Sequence, residues 1–134
     1  MDLSYKNQKI AGNDNLTNQI FRLDDHLVAA FTGLNADARV LVNNARVECQ
    51  VYRLNYDSKP TINYISRHIS KLMQKYTQKG GSRPFGFSLM LATCQVDPVT
   101  KDSTPLLYQI EPSGMITFYR ANAIGKSFVC FLTF

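Results

Sequence analysis

The stretch Tyr76–Ala92, YTQKGGSRPFGFSLMLA, constrains this chain more than any other. Tyr76 closes a helical pattern. Gly80-Gly81 stops it, since glycine takes the left-handed conformation favoured at a helix C-terminus. Pro84 forbids re-entry, and Phe85–Ala92 then runs nearly continuously apolar. Such a run bounded by Gly and Pro predicts a strand buried on both faces. A helix folding back onto a central strand is the simplest arrangement that satisfies both signals.

Upstream, Ile20–Leu23 and Leu27–Thr32 flank the turn signal Asp24-Asp25, predicting a hairpin ended by Gly33. Asn35–Tyr56 predicts a helix, with Asn35 as N-cap and Asp37 in its first turn, where a carboxylate suits the helix dipole. At ~100° per residue this helix has two apolar stripes. Ala38, Leu41, Val42, Ala45, Cys49 and Tyr52 form one; Val40, Val47, Val51 and Leu54 form the other. One stripe suffices to cover a sheet, so the second asks for another partner. Asp57–Pro60 breaks the helix, with Pro60 placed in the first turn of the next. There Ile62, Ile65, Ile69, Leu72, Met73 and Tyr76 make a single stripe opposite Arg67, Lys71, Lys75 and Lys79. That basic row reads as a solvated face, because no aromatic platform interleaves with it for base stacking. After the central strand, Gln95–Pro105 reads as a polar loop. Leu106–Ile110 and Ile116–Ala123 then pair around the turn Glu111-Pro-Ser-Gly114. A hairpin, two helices and a strand meander define an α+β class with an antiparallel sheet.

The 134 residues suit one domain. A hydrophobic content of 45% supports a packed core, and a net charge of +5 does not by itself argue for nucleic acid. No apolar stretch is long enough to span a membrane, and MDLSYKNQK lacks the apolar core of a signal peptide. Cytoplasm and nucleus are therefore the expected locations, and the sequon at Asn15 is expected to be idle. Cys49, Cys94 and Cys130 form no CxxC and read as structural thiols. His26 and His68 have no neighbouring ligands, so neither a metal nor any cofactor is expected. Asp24-Asp25-His26 is disfavoured as acid–base apparatus, since adjacent residues at a strand end point to opposite faces. No catalytic motif occurs, and no catalytic residue is assigned.

The segments IFRLDDHLVAAFTGL, GLNADARVLVNNARVECQVYRL, YTQKGGSRPFGFSLMLA and LLYQIEPSGMITFYRANAIG resemble α-type subunits of the 20S proteasome, in that family's order and spacing. The resemblance divides the chain into a poorly matched polar segment 1–18, an α-subunit-like core 19–125 and a divergent apolar tail 126–134. It implies a fragment of the four-layer αββα fold of N-terminal nucleophile hydrolases. It also implies a non-catalytic subunit of a seven-membered ring, with other α subunits, β subunits and activators or the regulatory particle as partners. Neither nucleic acid nor membrane is among them. Within it, Val40, Val47, Val51 and Leu54 would meet the β ring, and the turn Lys79-Gly80-Gly81-Ser82 would line the axial entrance. Gln19, Gly33 and Leu34 would fall in the activator pocket. Gln19 stands where the family often has lysine, which implies weaker activator docking. Against the family pattern the chain is expected to be truncated at both ends, with Phe87, Leu89, Leu91, Ile110 and Phe118 short of cover.

Two alternatives stand beside this reading. A hydrolase of the same superfamily would need a Thr, Ser or Cys at its N-terminus, and Met1-Asp2 supplies none; Thr61 and Ser66 fall within a helical segment. A basic binding module would use the second helix and would show a steep salt dependence.

Overall fold

In the computed structural model, which describes residues 19–124 apart from 79, 81, 82 and 98, the sequence's punctuation becomes a five-stranded antiparallel sheet with two helices on one face. The elements in chain order are β1 (Ile20–Asp24), β2 (Leu27–Gly33), α1 (Asn35–Tyr56), α2 (Ile62–Gln78), β3 (Phe87–Val96), β4 (Ser103–Ile110) and β5 (Ile116–Tyr119). The strands lie side by side in that same order. Both helices therefore sit in the β2–β3 connection and fold back over one face of the sheet.

Period-2 alternation decides which face that is. Leu27, Ala29 and Phe31 on β2 and Phe87, Leu89 and Leu91 on β3 are buried. Ladder pairing sets Ala29 beside Leu91, Phe31 beside Leu89, and Leu89 beside Ile110. The inner stripe of α1 (Ala38, Leu41, Val42, Ala45, Cys49) closes over this layer, with Ile62, Ile65, Ile69 and Met73 of α2. Tyr52 is half-buried between Tyr56 and Tyr64, each ring centroid 4.6 Å away. Two side chains fix α2 to the far strands. Tyr108 Oη donates to Asn63 Oδ1 at 2.8 Å, and Ser70 Oγ donates to the Gly114 carbonyl.

Several local expectations shift. Leu34, not Asn35, is the N-cap of α1, and no side chain caps it. Asp57 ends α1 in a left-handed conformation (φ 51°), its N–H bonded to the Arg53 carbonyl at 2.8 Å. Pro60 precedes α2 rather than entering it. Thr61 does the capping, its Oγ1 accepting from the Tyr64 N–H at 3.3 Å. Gly80 is not at positive φ, and Gly81 lies outside the described residues. The polar loop expected at Gln95–Pro105 is strand at both ends. β3 and β4 pair out to Val96 and Ser103, and beyond them the Asp97 N–H donates to the Asp102 carbonyl (3.0 Å). β5 is shorter than expected, since its ladder stops at Tyr119.

The largest correction concerns burial. β3 is not buried on both faces. Its inner residues are, while Ala92, Cys94 and Val96 on the other side are exposed. Phe87, Leu89, Leu91 and Ile110 were expected to lack cover, yet each is at most 3% exposed because the helices cover them. Phe118 alone of that set is open, at 53%. It lies on the helix side of β5, edge-on to Tyr108. Among the described residues, Ile20, Val28 and Val96 on the opposite face of the sheet are also exposed. Segments 1–18 and 126–134 lie outside the described residues.

Candidate functional site

Val40, Val47, Val51 and Leu54 point away from the sheet along α1, with exposures of 63, 62, 39 and 85%. Their spacing repeats on one helical face, and they lie opposite the buried inner stripe. Isolated exposed apolar residues need no explanation; a row of four on one face, flanked by polar residues, marks an interaction surface.

The N-terminal end of α1 carries a second construction. Gly33 ends β2 at φ +128°, and a Cβ there would sit 2.3 Å from the Gly86 carbonyl oxygen. Leu34 N–H donates to that same oxygen at 3.2 Å. Asp37, in the first turn of α1, takes both guanidinium nitrogens of Arg83 at 2.7 and 2.9 Å and the Gly86 N–H at 3.4 Å. The hydrogen bond from Arg83 holds the Asp37 carboxyl below the usual range, against the opposing effect of burial. The Tyr76 and Phe85 rings lie 4.6 Å apart, tilted by 59°, beside this clasp, and Asp37, Tyr76, Arg83 and Phe85 line a shallow groove. Of the sequence-assigned pocket residues, Gly33 and Leu34 are thus adjacent at the β2–α1 junction. Gln19 stands at the same end of the sheet, its carbonyl accepting from the Phe31 N–H at 2.9 Å. Of the turn assigned to the axial entrance, only Gly80 is described, and it is exposed. Lys79, Gly81 and Ser82 lie outside the described residues.

At the other end of the sheet, the β1–β2 turn gathers Asp24, His26 and Arg53. Asp24 is buried, accepts from Arg53 Nε at 3.1 Å and from Arg53 Nη2, and takes its neighbour Asp25's N–H at 2.7 Å. His26 Nε2 donates to the Pro60 carbonyl at 2.7 Å, and its Nδ1 sits 3.7 Å from Asp24 Oδ2 without a hydrogen bond. The turn therefore brings Asp24 and His26 together, contrary to the expectation that they diverge. Their partners are structural: Arg53 ties the turn to α1 and Pro60 ties it to the α1–α2 loop. Burial pushes the Asp24 pKa up, but the Asp25 N–H, the Arg53 bond and charge, and His26 outweigh it, so the net shift is downward from 3.8.

That shift carries a pH prediction. A carboxyl whose pKa is depressed on folding stabilises the fold above its unfolded pKa, and this is lost as pH falls through the folded pKa. Thermal melts should therefore show stability falling as pH drops below about 4. Asp24→Asn should flatten that fall while lowering stability at pH 7. A melt whose acid limb is the same in both proteins would remove Asp24 from this role.

The cysteines, all read from the sequence as structural thiols, divide between core and surface. Cys49 is buried, and burial pushes its thiol up to about 11, as suits a structural residue. Cys94 is exposed, so it is not a core thiol; Cys130 lies outside the described residues. Arg67, Lys71 and Lys75 are exposed along α2. Among the described residues there is no group of three or more metal-ligating side chains, and no helix is long and apolar enough to cross a membrane.

A two-striped helix and a second one in the β2–β3 crossover, with a strand entered through Arg83-Pro-Phe-Gly86, place the chain in a known class. Residues 4–132 match the family model of proteasome subunits, and the chain belongs to that family. It is most informatively compared with α type-7 subunits. It is 50% identical over 109 residues to proteasome subunit alpha type-7 of Cicer arietinum, covering 81% of this chain and 42% of the relative. It is 47% identical over 114 residues to alpha type-7-1 of Drosophila melanogaster, covering 85% and 44%. Alpha type-7 of Dictyostelium discoideum is 46% identical over 109 residues, covering 81% and 42%. The chain thus spans less than half the length of these curated relatives.

Proposed function

We propose that this chain acts as a non-catalytic structural subunit of a proteasome α ring. The observation that carries this reading is the uncovered stripe Val40, Val47, Val51 and Leu54 on α1, in a chain similar throughout its matched length to subunits of a ring assembly. An apolar stripe that the fold leaves bare requires a partner, and a neighbouring ring supplies one. The role is one of contact rather than chemistry, so no peptide cleavage is assigned to it. Cytoplasm and nucleus are the locations proposed with this role. The hydrolase alternative finds no support in the β1–β2 turn, where Asp24 and His26 are engaged in holding elements together.

The test is co-purification. Tagged chain expressed in eukaryotic cells should sediment with particles of core size and bring α and β subunits with it. Sedimentation only as free chain would overturn the reading.

Within the same proposal, Gln19, Gly33 and Leu34 form part of a pocket for activator C-termini, and the turn after α2 lies at the axial entrance. The clasp from Arg83 to Asp37 fixes the chain between that turn and the β2–α1 junction. Gln19 offers a terminal carboxylate only a neutral amide, and charge-assisted hydrogen bonds are roughly twice as strong. Gln19→Lys in assembled particles should therefore tighten binding of an activator C-terminal peptide. Unchanged affinity would take Gln19 out of the pocket.

A further inference from the structure

Along the seam where α1 meets α2, tyrosine rings and one carboxylate face solvent together. Tyr52 lies between Tyr56 and Tyr64, with ring planes tilted by 37° and 54°. Tyr56 and Tyr64 are 64 and 37% exposed, so much of each ring is open. Tyr64 Oη donates to Glu48 Oε1 at 2.6 Å. That bond pushes the Tyr64 phenol up to about 12, so the ring stays neutral. Glu48 is half-buried, and among the described residues no lysine or arginine pairs with it. Its one ion-pair neighbour there is His68, whose Nδ1 stands 3.8 Å from the same Oε1 and whose Nε2 already donates to Asn44 Oδ1 at 3.1 Å. The cations nearest in sequence are placed elsewhere. Arg53 is held by Asp24, and Lys59 lines a cavity with His26, Pro60 and Thr93. Arg67 and Lys71 follow Tyr64 by one and two turns of α2, away from the Tyr56 end of the stack.

We propose that the Tyr52, Tyr56 and Tyr64 stack, with Glu48 beside it, is a docking site for an arginine side chain of the subunit that covers α1. This deepens the ring-subunit reading and rests on it for the source of the arginine. The seam borders the outer stripe, since at ~100° per residue Glu48 falls between Val51 and Tyr52 on the wheel. A partner that covers the stripe therefore covers Glu48 as well. A carboxylate taken from water without a compensating charge is costly. An apolar side chain over Glu48 leaves that cost standing, and an acidic one adds repulsion. A cation removes it. Guanidinium suits the place better than ammonium for two reasons. Its plane stacks on aromatic faces, whose quadrupole attracts positive charge. Its fork also pairs with a carboxylate, and both contacts of Glu48 use Oε1, which leaves Oε2 for it. The carbonyl end of α1, at Tyr56, adds partial negative charge on the same side.

Two measurements test this. In the first, arginine amide is titrated into the purified full chain and the tyrosine ring protons are followed by NMR, with citrulline amide as the neutral isostere. Saturable shifts are expected at Tyr52, Tyr56 and Tyr64, with arginine amide bound about fivefold more tightly, the order of factor that an exposed cation–π contact supplies. Glu48→Gln keeps an acceptor for Tyr64 but removes the charge, and should erase most of that preference; Tyr56→Leu should weaken binding of arginine amide. Equal affinity for the two amides, or a preference that survives both substitutions, would overturn the proposal. This comparison needs only the wild type, so it decides the matter even where a variant fails to fold. In the second, the chain carrying Glu48→Gln with Tyr56→Leu is co-purified with particles, and recovery in core-sized fractions should fall several-fold. Recovery equal to wild type would overturn the proposal. If Val47→Asp with Val51→Asp is excluded from particles in that same experiment, the ring-subunit reading stands and only the arginine site falls.

Discussion

Gly33→Ala should cost the fold on the order of 3–5 kcal/mol, combining strain at an αL-type or other positive-φ residue with a steric clash. The backbone at Gly33 has φ +128°, a region open to glycine and strained for every L side chain. The added methyl would also lie 2.3 Å from the Gly86 carbonyl oxygen and 2.7 Å from the Phe87 Cα. Both obstacles are backbone, so no side-chain rotation relieves them. Relief requires β2 and β3 to part where Gly33 pairs with Phe87, which also breaks the hydrogen bond from Leu34 to Gly86. A domain's whole stability is about 5–15 kcal/mol, so the variant should melt far below wild type or fail to fold. Gly80→Ala is the matched control: a Cβ there meets nothing within 4 Å, and its midpoint in urea should hardly move. Equal midpoints for the two variants would mean that the β2–α1 junction is not packed in this way.

Gly33 also shows where sequence reading reaches its limit. Its position before a helix marks it as a strand terminator, and resemblance adds a place in a pocket. Neither indicates that the carbonyl of Gly86, far along the chain, occupies the space its side chain would need. The same holds for Asp37. In the first turn of a helix it reads as a partner for the dipole, which is a local matter. Its main partners are Arg83 and Gly86, brought together only when β3 docks beside β2. Asp24 and Arg53 are a third case, 29 residues apart and joined by the fold.

What periodicity carries was legible. The two stripes of α1 separated cleanly, one buried and one bare, because angular spacing on a helix depends on nothing outside it. The α2 stripe held for the same reason at Ile62, Ile65, Ile69 and Met73, while Leu72 is half-buried and Tyr76 exposed. β3 misled because a continuous apolar run reads as burial on both faces, whereas its outward residues face no layer among the described residues. The hairpin β3–β4 was underestimated because its outer rungs, Cys94 to Val96 with Ser103 to Pro105, are polar or isolated in sequence and are held by ladder hydrogen bonds rather than burial.

Val47→Asp with Val51→Asp should abolish entry of the chain into proteasome particles while leaving its own fold intact. The two residues are four apart on one face of α1 and are 62 and 39% exposed. In the free chain an aspartate at either position stays hydrated, and exposed substitutions of this kind usually shift stability by no more than about 0.5 kcal/mol. In an assembled ring the same carboxylates would be removed from water against an apolar neighbour, at a cost of several kcal/mol unless paired. Even about 3 kcal/mol lowers an association constant more than a hundredfold. Thermal melts and co-purification should therefore separate: an unshifted melt, with recovery in core-sized fractions at background. Lys71→Asp, on the solvated face of α2, should leave both unchanged. If the double variant enters particles as well as wild type, the outer stripe of α1 makes no ring contact, and the proposed function loses the observation on which it rests.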